Sequence, residues 1–183
     1  MSHNGMQASF DALIELIKKP YRTDGGVKTD RSVLLVYVPE RELEFREQLH
    51  DRFLPRLEAE GHVHRALDLT GFLFDDLDQQ SIENLCEDEF DDYQWMKQGL
   101  ASHIERALTQ RGSNLAEQMP GGTVIVYATL ALYPLMRFGD LLTGLRDLDC
   151  RILLAFPGEE HGGRLYFMNH PDGGNYLAVK MMM

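Results

Sequence analysis

Apolar side chains near the start of the chain fall at Met6, Phe10, Leu13, Ile14 and Ile17, the spacing of one helical face. The spacing predicts a helix over about 6–19, stopped by Pro20. Asp24-Gly25-Gly26 reads as a turn, and the continuous valine-rich run from Ser32 to Val38 suits a strand buried on both faces. Phe45, Leu49, Phe53 and Leu57 then recur every four residues up to Gly61, a second helical stretch that Pro55 must kink or divide. Val63, Leu67 and Leu69, with Arg65 completing the alternation, suggest a second strand at a sheet edge.

Farther on, Met96, Leu100, Ile104, Ala107 and Leu108 mark a helix from Trp95 to Gln110, closed by Gly112. Gly121-Gly122 breaks the chain before the buried-looking strand Thr123 to Ala128. Phe138, Leu141, Leu142 and Leu145 mark a short helix, and Arg151 to Phe156 another apolar strand that runs into Pro157-Gly158. Arg164 to Met168 and Tyr176 to Lys180, separated by the turn-rich residues 169–175, read as the arms of a hairpin. Strands alternating with helices predict β-α-β units closed by right-handed crossovers. The expected architecture is one α/β domain over 1–183: three layers, a mainly parallel sheet flanked by helices, and a C-terminal β-hairpin. Its core is of the P-loop-NTPase or Rossmann kind, without a phosphate-binding loop.

The composition, 44% hydrophobic and 26% charged over 183 residues, is that of a globular domain and excludes collagen, mucin and bulk disorder. No apolar run approaches the roughly 18 residues of a membrane span, and the first residues do not resemble a secretory leader, so the expected compartment is the cytoplasm, with no membrane association. Cys86 and Cys150 stand far apart and define neither a disulfide framework nor a zinc site. Charge changes the picture more. Nine acids, Asp75, Asp76, Asp78, Glu83, Glu87, Asp88, Glu89, Asp91 and Asp92, crowd one stretch without a lysine or arginine and supply most of the net charge of −11. With the rest nearly balanced, the chain is poorly suited to neutralise phosphates, and direct nucleic-acid contact is not expected. Trp95 follows the acidic stretch. Carboxylates mixed with aromatics suit docking on a basic protein, the aromatics anchoring and the charges steering; a solvated segment whose aromatics plug the core is the competing interpretation.

Ligands of parallel α/β sheets sit outside the carboxyl ends of the strands, which here lead into Pro39-Glu40-Arg41, Thr70-Gly71, Thr129 to Arg137 and Pro157 to Arg164. A nucleotide needs a glycine-rich turn after a strand. Gly25-Gly26-Val27-Lys28-Thr29 lacks the spacing and precedes one. The strand over 123–128 ends in Ala128-Thr129, without the acid that would hold magnesium. Glu159, Glu160 and His161, between Gly158 and Gly162-Gly163-Arg164, could supply acid, base or ligand, but a turn with positive-φ glycines and solvated charges explains the string as well. His62 and His64 share a parity that would point them to one face of a strand, two donors where a metal site needs three or four. No nucleophile signature accompanies them, and neither catalysis nor a cofactor is expected. Arg137, Arg146, Arg151 and Arg164 could gather into a basic patch, and Arg137, Arg146 and Arg164 near the strand ends would make a nucleotide- or nucleic-acid-binding module, the alternative from a different class.

The order Val-Ile-Val-Tyr from Val124, Leu132-Tyr133-Pro134, Arg137, Leu141-Leu142, Leu145, Leu153 to Phe156 and Pro157-Gly158-Glu159 resembles the BrxB family of the BREX bacteriophage-defence systems. Looser agreement extends through Tyr37-Val38-Pro39, Glu44 to Arg46 and Leu69 to Leu77. The sequence departs from the family pattern at Tyr176-Leu177-Ala178, where arginine should follow the tyrosine. The resemblance implies a small non-catalytic component working beside an ATPase, a DNA methyltransferase and a PglZ-like protein of the alkaline-phosphatase family. It brings no catalytic residues, only a role in a system and a protein partner.

Overall fold

The computed structural model describes residues 3–21, 31–72, 93–133, 135–136, 142, 145, 148–167, 170–171 and 178–183. The acidic stretch 75–92, Arg137, Arg146, Cys86 and the segment 22–30 lie outside the described residues. Five strands, β1 (Ser32–Tyr37), β2 (His64–Asp68), β3 (Thr123–Tyr127), β4 (Arg151–Pro157) and β8 (Val179–Met182), form one sheet in the order β2-β3-β4-β1-β8. Every neighbouring pair is parallel. A second, antiparallel sheet joins β5 (Glu159–His161), β6 (Arg164–Phe167) and β7 (His170–Pro171). Among the described residues no helix is long and apolar enough to cross a membrane.

Alternation along the central strands sends side chains to two separate cores. Leu34, Val36, Val124, Val126, Ile152, Leu154 and Phe156 pack with Ile104 and Leu108 of α4 (Tyr93–Gln118) and with Leu165 and Phe167 of the hairpin. Val33, Leu35, Ile125, Leu153 and Ala155 face α1 (His3–Ile17) and the helical stretch beyond residue 42. Helices therefore cover both faces, which is why β1, β3 and β4 read as continuous apolar runs. β2 is the edge strand that its alternation suggests, with Arg65, Ala66 and Asp68 exposed.

The stretch from 42 to 59 is divided, as Pro55 requires. α2 (Glu42–Gln48) passes into a π-helical turn over Leu49–Phe53, then α3 (Leu54–Ala59). A spacing of four overshoots an α-helical turn by about 40°, so Phe45, Leu49, Phe53 and Leu57 would wander off one face of a regular helix. The slower winding of i→i+5 bonding, seen in Leu54 N–H donating to Leu49 O, keeps all four at 1% exposure or less. Each such side chain contributes about 1.5–3 kcal/mol by leaving water. Pro55, without an N–H, sits harmlessly in the first turn of α3.

Three expectations need correction. Gly112 does not end α4, which runs on to Gln118; it is buried, and a Cβ there would lie 2.5 Å from Leu145 Cδ2, so this glycine makes room for a neighbour. The hairpin is built from β5 and β6 through Gly162-Gly163, both at positive φ. The last segment, instead of pairing with β6, joins the main sheet alongside β1, Val33 opposite Val179. Arg151, third, is no surface cation. It is 2% exposed, and its guanidinium donates to the carbonyls of Leu16 (3.1 Å), Ile17 (2.9 Å) and Lys19 (2.9 Å) where α1 runs out of intrahelical donors; the Leu16 carbonyl also accepts from Lys19 N–H at 3.2 Å.

Candidate functional site

Because the five strands run parallel, their carboxyl ends share one edge, where α/β sheets bind ligands. A polar cluster stands there at the ends of β2 and β3. Asp68 Oδ1 accepts from Thr70 N–H at 2.9 Å and Thr70 Oγ1 at 2.6 Å, while Oδ2 accepts from Tyr127 Oη at 3.1 Å and lies 3.6 Å from Arg46 Nη2. The Arg46 guanidinium lies over the Tyr127 ring, 5.8 Å from its centroid, and the His50 ring packs against the Tyr127 ring with 5.0 Å between centroids and 74° between planes. Each member arrives for a local reason. Asp68 closes its strand with a turn in which its side chain mimics a backbone acceptor for Thr70. Tyr127 shares the parity of Ile125 and the face of the sheet beneath α2, and Arg46 and His50 stand one turn apart on the helical stretch above it.

Burial opposes charge on Asp68, but the two bonds from Thr70, the one from Tyr127 and the attraction of Arg46 prevail and hold its carboxyl below the usual carboxylate range. Burial first, and Asp68 second, push the Tyr127 hydroxyl up to about 12. At neutral pH the pair is thus a carboxylate accepting from a neutral phenol. With its lone pairs turned toward Thr70, Tyr127 and Arg46, Asp68 is a structural acceptor and a poor base.

The neighbouring strand ends are likewise tied to one another. Tyr37 donates to Glu42 Oε2 at 2.5 Å and stacks on Phe45 at 4.2 Å between centroids; burial, then Glu42, raise its hydroxyl far above the ordinary value. Arg41 clasps Glu44 through Nε and Nη2, at 2.7 and 2.8 Å. Gly158 N–H donates to Tyr37 O at 2.7 Å, linking β4 to β1. At the end of β3, Ala128 adopts φ 57°, ψ 34°, a left-handed conformation uncommon without a glycine. The strain is held by burial and by Thr129 Oγ1 donating to Ala155 O at 2.9 Å.

The string 158–164 forms the hairpin. Glu159, Glu160, His161 and Arg164 are all exposed. His161 Nε2 lies 2.7 Å from Glu159 Oε2, and Glu160 receives Lys180 Nζ at 2.8 Å. Lys180 also donates to Gly163 O at 2.8 Å, which fastens the hairpin tip to β8. Glu159 and His161 share one face of β5 and Glu160 the other, so the string does not converge as three ligands. No group of three or more histidine, cysteine or acidic residues placed to hold a metal occurs among the described residues. Arg137 and the acids Asp75, Asp76, Glu83, Glu87, Asp88, Glu89, Asp91 and Asp92 lie outside the described residues. Trp95 belongs to α4.

His62 and His64 do not pair on one strand face, because His62 precedes β2. Its Nε2 lies 2.8 Å from Thr123 Oγ1, while His64 Nδ1 lies 2.8 Å from His62 O. Burial, then His64 and Arg151, lower the His62 pKa and favour the neutral ring. His62 and Thr123 border a cleft of about 540 Å³ with Lys18, Lys19 and Tyr21, at the amino ends of the strands, opposite the edge where such sheets place ligands. Sequence inspection missed the cluster of Arg46, His50, Asp68 and Tyr127. The strand-end loop Thr70-Gly71 was the nearest position it singled out.

The fold is that of a three-layer α/β domain with a parallel five-stranded sheet and an antiparallel hairpin. No family model, curated protein or solved structure matches the chain.

Proposed function

We propose that this chain is a non-catalytic assembly or adaptor subunit of a BREX bacteriophage-defence complex in the cytoplasm, and that it binds another component of that system, first of all a PglZ-like protein of the alkaline-phosphatase family. The resemblance over Thr123 to Glu159 motivates this reading. The observation that carries it is the strand-end cluster, in which Asp68 is engaged by Thr70, Tyr127 and Arg46. Polar groups committed to one another favour a role exercised through contact. The acidic stretch 75–92, with Trp95 beyond it, supplies a steering field for a partner with a cationic surface.

The test is retention of each companion protein by the tagged full-length chain in gentle salt. The PglZ-like protein is expected to be retained, and less of it after reversal of several charges from Glu83 to Asp92 with unchanged circular dichroism. Recovery of the chain without any companion defeats the proposal. Steeply salt-dependent DNA binding in its place would substitute the nucleic-acid-binding alternative.

A further inference from the structure

In a parallel pair, alternate residues turn their backbone groups toward the neighbouring strand. Thr123 N–H donates to Val63 O, and Leu69 N–H donates to Tyr127 O. Residues 63, 65, 67 and 69 therefore face β3, and His64, Ala66 and Asp68 turn their N–H and C=O groups outward. β2 ends the strand order, and no described strand lies beyond it. An edge of this kind is a template for another strand unless the chain blunts it. Here the blunting is partial: Arg65 Nη1 covers the carbonyl of His64 at 3.0 Å, while Ala66, exposed and uncharged, leaves the middle of the edge accessible.

We infer that β2 pairs antiparallel with β2 of a second copy of this chain, about a two-fold axis at Ala66, extending the sheet across the dimer. The outward triplet is complementary to its own reverse. With Ala66 opposite Ala66, both backbone bonds form at the axis, and His64 of each copy stands opposite Asp68 of the other. His64 Nδ1 is already held at His62 O, which leaves Nε2 as its other polar atom, and the Asp68 carboxylate opposite it, engaged within its own copy by Thr70, Tyr127 and Arg46, is still 41% exposed and brings a negative charge to the ring. On the other face, each Val63, 56% exposed, lies diagonally across from Leu67 of the other copy, within reach of a cross-strand contact. Such an interface is isologous and closes on itself. Five residues of edge pairing bury less than the roughly 1,200 Å² of a standard stable interface, so the dimer is weak and concentration-dependent.

Sedimentation velocity of the full chain over a concentration series tests this. The sedimentation coefficient is expected to rise from monomer toward dimer. Ala66→Pro removes an outward N–H at an edge position that tolerates proline and should leave a monomer with unchanged circular dichroism. His64→Asp, which sets like charges opposite each other at two symmetric places, should weaken association about fivefold or more. A coefficient that stays monomeric throughout the series overturns the inference, as does association unaltered in a folded Ala66→Pro. If Ala66→Pro does not fold, unaltered association in His64→Asp overturns it.

Discussion

Arg151 Nη1 donates to the carbonyl of Ile17 at 2.9 Å, joining the first residue of β4 to the last of α1. The same guanidinium reaches Leu16 and Lys19, so one side chain from the sheet serves three carbonyls at the end of a helix. Arg151→Ala should cost about 3 kcal/mol, since it removes charge-assisted bonds and strands acceptors in a buried place. The urea midpoint should fall accordingly. Arg151→Lys should recover only a fraction, because an ammonium lacks the planar fork that spans three acceptors.

Ala128 offers the opposite case. Its left-handed backbone, φ 57°, costs an L-residue roughly 1–2 kcal/mol, and glycine enters that region freely at the expense of a more flexible unfolded chain. Ala128→Gly should raise stability by about 0.5–1 kcal/mol, read as a higher urea midpoint with an unchanged slope.

The Asp68 cluster predicts a pH dependence of definite sign. A carboxyl held below its unfolded value of about 3.9 favours the folded state above that value and loses this contribution as pH falls through the folded pKa. Asp68→Asn should flatten the decline of stability in acid below about pH 4. Tyr127→Phe, which removes one donor to Asp68, should cost about 0.5–1.5 kcal/mol and shift the acid limb upward in pH. Stability measured across an acid series in both variants checks this.

Cys150 is fully buried, and burial pushes its thiol up to about 11. Little thiolate exists at neutral pH. In a Cys86→Ser background, alkylation of the native protein should be slow and should become rapid on adding denaturant; fast native labelling would contradict the burial.

Gly158 holds the hairpin against the main sheet. A Cβ there would lie 2.2 Å from Tyr166 O and 2.5 Å from the Phe156 ring, a backbone obstruction that rotamers cannot relieve. Gly158→Ala should destabilise by about 1–3 kcal/mol, measurable as a lower thermal midpoint.

Local periodicity told most of what the elements are. Continuous apolar runs without alternation marked β1, β3 and β4 as buried strands, and the weaker alternation around Arg65 suggested an edge for β2. Such patterns register which faces leave water, and that is settled within a few residues of chain. What tertiary structure alone decided are pairings between distant segments. The last strand lies beside β1 although a hairpin with β6 was closer in sequence, and it pairs the backbone N–H and C=O groups that the edge of β1 would otherwise leave open. Gly112 reads as a stop until Leu145 is seen against it. Arg151 looked like a surface charge until the end of α1 came to rest on it, and Arg46, His50, Asp68 and Tyr127 form a cluster only because β2 and β3 run side by side beneath one helix. Hydrophobic pattern is written locally; the meeting of polar partners depends on how the covered faces are stacked.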